Sequence, residues 1–135
     1  IDQIREWRFN MFTKYRFDSD TKLKGFTVGG GARWQDEVAI GHPQIFDSEL
    51  DAFKPDIANP HFGPSEFNMD GFVRYKKPIR DGKVDMTLTL NIRNLLNDDD
   101  LILVAANPNE GSMGLVAVWR IPTERTYSLT AKFNF

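Results

Sequence analysis

Cysteine is absent from the 135 residues, which removes disulfides, thiolate metal sites and cysteine nucleophiles and leaves the redox compartment unreadable. No window comes near the ~18 consecutive apolar residues of a transmembrane helix. That absence bears on helices alone, because a spanning β-strand takes only ~9–11 residues, every second one apolar. Charge of one sign is not in excess either: seventeen Lys and Arg face nineteen Asp and Glu, for a net charge of −2. No basic field points to nucleic acid. Residues 1–7 carry neither an initiator methionine nor the basic-then-apolar pattern of a signal peptide, and the chain is expected to be a fragment or a processed piece. No segment has the 3.6-residue period of a helix of normal length.

What the chain does have is aromatic residues in alternating context. Aromatics make up 13%, with eleven phenylalanines, on a chain of mean hydropathy −0.42. In the last eleven residues Tyr127, Leu129, Ala131, Phe133 and Phe135 fall on one face of a strand and Thr126, Ser128, Thr130, Lys132 and Asn134 on the other. The same period predicts strands at about 5–17, 25–36, 67–77 and 83–97, and the last strand is expected to run over 115–135 with a nick at Pro122. Phe12 breaks the alternation of the first. Between them, 37–66 and 98–114 read as long irregular loops, the first punctuated by Pro43, Pro55, Pro60 and Pro64. A tight turn is expected around Asp81-Gly82.

Candidate chemistry is sparse. Gly29-Gly30-Gly31 lies inside a strand pattern and lacks the Lys-Ser/Thr of a phosphate loop, so it reads as a kink or a close backbone approach. His42 and His61 share a loop with Asp47, Glu49, Asp51 and Asp56, but their spacing matches no metal-ligand pattern. Asp98-Asp99-Asp100 lacks the spaced ligands and glycine of a calcium loop. No nucleophile elbow or placeable carboxylate pair is present, and neither an enzyme nor a cofactor is expected.

Connections alternate short, long, short, long, as in outer-membrane barrels with short periplasmic turns and long external loops. With that orientation the apolar face carries two aromatic belts, Trp7, Trp34, Phe67 and Trp119 at the external end and Tyr15, Phe26, Tyr75 and Phe133 at the periplasmic end. The opposite face, with Arg8, Lys14, Arg33, Asp70, Arg74, Thr89, Asn91 and Arg93, would line a wet or plugged lumen. The expected fold is therefore all-β, an antiparallel up-and-down meander of about five long strands forming part of a transmembrane β-barrel. The alternatives are a passive porin-like barrel and a soluble β-sandwich binding module whose polar face meets solvent.

Leu88 to Asn97, reading LTLNIRNLLN, and Arg125 to Phe135, reading RTYSLTAKFNF, resemble the C-terminal end of TonB-dependent outer-membrane receptors. Gly25 to Gln35 is similar to a strand of their ferric-siderophore branch. Leu96 stands where the family usually has Phe, and Thr-Glu separates Pro122 from Arg125 where a Pro-Arg pair is common. The resemblance implies a 22-stranded barrel in the bacterial outer membrane, of which this chain is about the last five strands. It further implies uptake of a ferric siderophore or similar nutrient, a plug domain and a TonB-type energy-coupling protein reached through a part not contained here. Tyr127, Leu129, Phe133 and Phe135 would be the signal read by the outer-membrane assembly machinery.

Overall fold

The computed structural model describes residues 4–108 and 115–135. Every element among them is a strand, and the pairings are antiparallel. In chain order they are β1 (Arg8–Arg16), β2 (Phe26–Gln35), β3 (Val38–Gly41), β4 (Gln44–Asp47), β5 (Ala52–Pro55), β6 (His61–Gly63), β7 (Glu66–Ile79), β8 (Val84–Arg93), β9 (Ile102–Pro108), β10 (Leu115–Arg120) and β11 (Thr126–Asn134). The chain divides into two compact units, one of residues 9–33, 67–98 and 123–135, the other of 1–8, 34–66 and 99–122.

The first unit is built on a five-stranded sheet in the order β1-β2-β7-β8-β11. Its central register follows from period-2 patterning. Gly71, Val73 and Tyr75 on β7 stand opposite Ile92, Leu90 and Leu88 on β8. Across the next ladder Ile92, Leu90, Leu88 and Met86 stand opposite Tyr127, Leu129, Ala131 and Phe133 on β11. Apolar thus meets apolar over three strands, while Phe72–Asn91–Ser128, Arg74–Thr89–Thr130 and Lys76–Thr87–Lys132 form rows on the other face. The connection from β7 to β8 turns through Arg80, Asp81 and Gly82, all at positive φ, closed by the Lys83 N–H donating to the Arg80 carbonyl at 3.2 Å. Strands β1 and β11 are the edges and are not paired to each other.

The expectation of one long strand over 115–135 is not met. Leu115–Arg120 pairs with β9, and only Thr126–Asn134 joins the large sheet. Pro122 lacks an N–H for a ladder bond, and the Arg125 side chain is spent on the turn after β8, donating to the Asn94 and Leu95 carbonyls at 3.4 and 2.8 Å. The stretches expected to be irregular also differ. Residues 37–66 contain two small ladders, β3 with β6 and β4 with β5, and 98–114 contributes β9. Strands of three and four residues are too short to announce a period.

The second unit holds a small core of Val38, Ile40 and Ala106, with Leu103 packed against it. Its density comes from backbone approach: a Cβ on Gly41 would overlap the Ala106 carbonyl oxygen. Glu66 binds two arginines, Arg5 at 2.5 Å and Arg120 at 2.5 Å. On the hairpin of β4 and β5, Phe46 and Phe53 meet edge to face at 5.5 Å. The Asp47 carboxylate accepts from Lys54 and from the Glu49 backbone N–H. These two bonds, the lysine first, hold its pKa below the ordinary value of 3.8.

Gly41→Ala is expected to lower the unfolding midpoint of this unit by the equivalent of about 3 kcal/mol, since the clash is with backbone that cannot rotate away. An unchanged midpoint would contradict the close approach of β3 and β9. For Asp47, the stabilising bonds are complete above the unfolded carboxyl's pKa and are lost as pH falls through the lower folded value. A carboxyl-carbon NMR titration should place its midpoint below 3.8, and Lys54→Met should raise it.

Candidate functional site

The unusual feature of the large sheet is that large apolar side chains on both faces are exposed. Leu129 is 73% exposed, Tyr127 64%, Phe9 57% and Met11 53%, and no large side chain among the described residues is fully buried. Seven such residues on the apolar face, counting Tyr15, Val73 and Phe133, at roughly 100 Å² each, exceed the ~300–600 Å² of the largest apolar patch on a typical monomer.

Contacts assign the outer strands to the two faces. Phe26 packs on Tyr75 with ring centroids 4.5 Å apart, and Tyr15 meets Phe17 edge to face at 5.0 Å, all on the apolar side. On the polar side Phe12 and Phe72 lie nearly parallel at 6.3 Å. Their strands flank β2; Phe12 is where alternation failed in the sequence, and Phe72 is likewise an aromatic on the polar parity of β7. The space they fill is left by glycine: a Cβ on Gly29 would stand 2.5 Å from the Phe72 ring, and one on Gly31 3.6 Å from Phe12. A ring laid over a glycine restores the contact that the missing side chain forgoes. The Arg74 guanidinium sits 5.5 Å from the Phe72 centroid, a cation–π arrangement.

Beside this stack runs a groove of about 590 Å³ lined by Phe12, Gly31, Asp70, Phe72, Asn91, Arg93, Thr126 and Ser128 among others. Arg33 donates to Asp70 at 3.1 Å. A second groove of about 520 Å³ shares Asn91 and continues over Arg74, Lys76, Thr87, Thr89, Thr130, Lys132 and Asn134. Of the residues expected to line a lumen, Asp70, Asn91 and Arg93 border the first groove and Arg74, Thr89 and Asn91 the second. Arg33 touches the first only through its bond to Asp70, whereas Arg8, the first residue of β1, and Lys14 border neither.

Of the residues expected in aromatic belts, Tyr15, Phe26, Tyr75 and Phe133 lie on sheet strands, as do Trp34 near the end of β2 and Phe67 near the start of β7. Trp7 immediately precedes β1, and Trp119 belongs to β10, outside the sheet. In the C-terminal strand Tyr127, Leu129 and Phe133 are exposed, and Phe135 is 96% exposed beyond the end of β11. Sequence reading missed the partnership of Phe12 with Phe72. The signal was present, since two large rings out of parity flank a strand with three consecutive glycines.

Asn94 ties the loop-bearing ends of β7, β8 and β11. Its backbone N–H donates to Asp70 at 3.1 Å, and its side-chain amide donates to the Asp98 and Thr123 carbonyls at 2.9 Å each. Its side-chain oxygen accepts from the Asp98 N–H at 3.2 Å, and the adjacent Leu95 N–H donates to the Met69 carbonyl at 2.7 Å. Asn94 and Asn97 both adopt positive φ, 53° and 56°, a conformation asparagine tolerates better than most residues.

Comparisons with protein-family models, with curated proteins and with solved structures find no match to the chain.

Asn94→Ala is expected to cost about 2 kcal/mol, from partly exposed hydrogen bonds and the left-handed backbone together. Asn94→Gly should recover the backbone share alone. Denaturant unfolding of the two variants reads the split, and equal losses would refute the backbone contribution.

Proposed function

We propose that the chain is a wall segment of an outer-membrane β-barrel, in a receptor of the TonB-dependent kind that takes up a bulky nutrient such as a ferric siderophore. The observation that carries this reading is the apolar face kept in register over β7, β8 and β11 and left exposed along β1 and β11. In water each exposed Leu or Phe forgoes about 1.5–3 kcal/mol of burial. Against lipid the same face is matched to its surroundings, and the polar face turns to a hydrated lumen.

The two edges fit the same reading. Unpaired backbone groups in hydrocarbon cost several kcal/mol each, so the sheet would be continued by strands from the remainder of the barrel. Both long connections, β2 to β7 and β8 to β11, leave from one end of the sheet, and both contain paired strands. Paired strands within such connections suit a receptor that holds a ligand. The resemblance of residues 88–97 and 125–135 to the receptor family supplies the rest of the proposal: a plug within the barrel, a TonB-type coupling protein acting on it, and assembly machinery that reads β11 with Phe135. No catalytic chemistry is assigned to the chain.

Paired substitutions on neighbouring residues test the membrane reading. In phospholipid vesicles Leu129→Arg should destabilise the folded state by about 2–4 kcal/mol, whereas Thr130→Arg, one residue on and facing the other way, should change it by less than 1 kcal/mol. Equal effects, or a chain that folds cooperatively as a soluble monomer without detergent, would favour a soluble sandwich and reject the barrel wall.

A further inference from the structure

Charge in this protein is segregated by unit. The unit that contains most of the large sheet has thirteen Lys and Arg against seven Asp and Glu, and the other has four against twelve. Within the first, the polar face of the sheet is more one-sided still. It carries Lys14, Arg16, Arg33, Arg74, Lys76, Arg93 and Lys132 against two acids, Asp70 and Asp85. Asp70 is committed to Arg33 and to the Asn94 N–H.

The second groove is the concentrated part of this field. It brings together Arg74, Lys76 and Lys132 and has no carboxylate in its lining. None of the three forms an ion pair among the described residues. Lys76 and Lys132 stand on either side of Thr87, two strand spacings apart, or about 10 Å. Arg74 is two residues from Lys76 along β7, about 7 Å. The floor between the charges is Thr87, Thr89 and Thr130, all able to donate or accept hydrogen bonds.

We propose that this cationic part of the polar face is a docking surface for an acidic polypeptide surface, one presenting several carboxylates across three strands at once. The geometry favours such an occupant over a small anion. The charges lie on an open sheet face, where a single ion stays hydrated and each exposed pair contributes little. Only a partner that engages Arg74, Lys76 and Lys132 together, while hydrogen-bonding to the threonine floor, adds these small terms into useful affinity. The aromatic groove that begins at Asn91 extends the contact along the sheet. This inference uses the polar face alone and holds whether the opposite face meets lipid or another protein layer.

The test is binding of an extended Glu-Ser repeat peptide to the full chain in detergent, at low and physiological salt, with tripolyphosphate and a Gln-Ser peptide as comparison probes. The triple variant R74Q/K76Q/K132Q should weaken binding of the Glu-Ser peptide about tenfold or more. The control K22Q/K24Q/K83Q removes the same charge from the two short turns and should change it less than twofold. Circular dichroism should show equal strand content in all three proteins. Equal weakening by both variants would reduce the effect to net charge and overturn the proposal. It would also be overturned if the triple variant bound normally, if the Gln-Ser peptide bound as tightly, or if tripolyphosphate matched the Glu-Ser peptide. The Leu129 and Thr130 substitutions report on the membrane reading independently of these outcomes.

Discussion

The register of β8 is the constraint on which the large sheet depends. This strand is paired on both sides, with β7 and with β11, and in both ladders Leu88, Leu90 and Ile92 face apolar or small partners, while Met86 faces Phe133 on one side and Lys77 on the other. A slip of one residue on either side would set Arg74, Lys76 or Lys132 among Leu88, Leu90 and Ile92, reversing every side chain on the slipped strand. Two devices at opposite ends oppose such a slip. The three positive-φ residues Arg80 to Gly82 fix the β7–β8 turn, and Asn94 joins the start of β7 to the approach to β11 through backbone and side chain alike. Arg125 adds a third tie to the same turn.

The two units use different means of cohesion. In the sheet, hydrogen-bonded ladders and pairwise side-chain contacts do most of the work, and the buried core is slight. Ala32 and Val84 are its only buried hydrophobic residues among those described. The unit built from the long connections has, among the described residues, no strand of its own longer than seven residues and relies on backbones brought close together, with Glu66 shared between Arg5 and Arg120. Sheet stability of the first kind tolerates exposed faces. The second kind depends on small residues at fixed places, because a single added methyl at Gly41 meets a carbonyl rather than a yielding side chain.

Much of the sheet was legible because its strands are long enough for alternation to repeat four or five times. The all-β class and the division of β8 and β11 into an apolar and a polar face follow from that period, and the antiparallel arrangement from the alternation of short and long connections. The small ladders were hidden for the opposite reason. Val38–Gly41 and His61–Gly63 are too short to repeat a pattern, and their pairing is set by contacts with β9 across many residues of sequence. The separation of β10 from β11 turned on Pro122 and on where Arg125 finds its acceptors, which parity alone does not encode. The grooves were visible only in part. Their charged residues share a face by period, but the role of Phe12 and Phe72 emerges only when β1, β2 and β7 lie side by side in that order.

Strand direction alternates across β1-β2-β7-β8-β11, and five is an odd number, so the two free edges run the same way. Closing this sheet directly onto itself would therefore create a parallel seam, and so would a ring of identical copies joined β11 to β1. An all-antiparallel closed wall is reached only by inserting an odd number of further strands between the two edges. Direction, a property of topology and not of any side chain, thus limits any all-antiparallel closure of this sheet: an added segment with an even strand count would leave one parallel seam whatever its sequence.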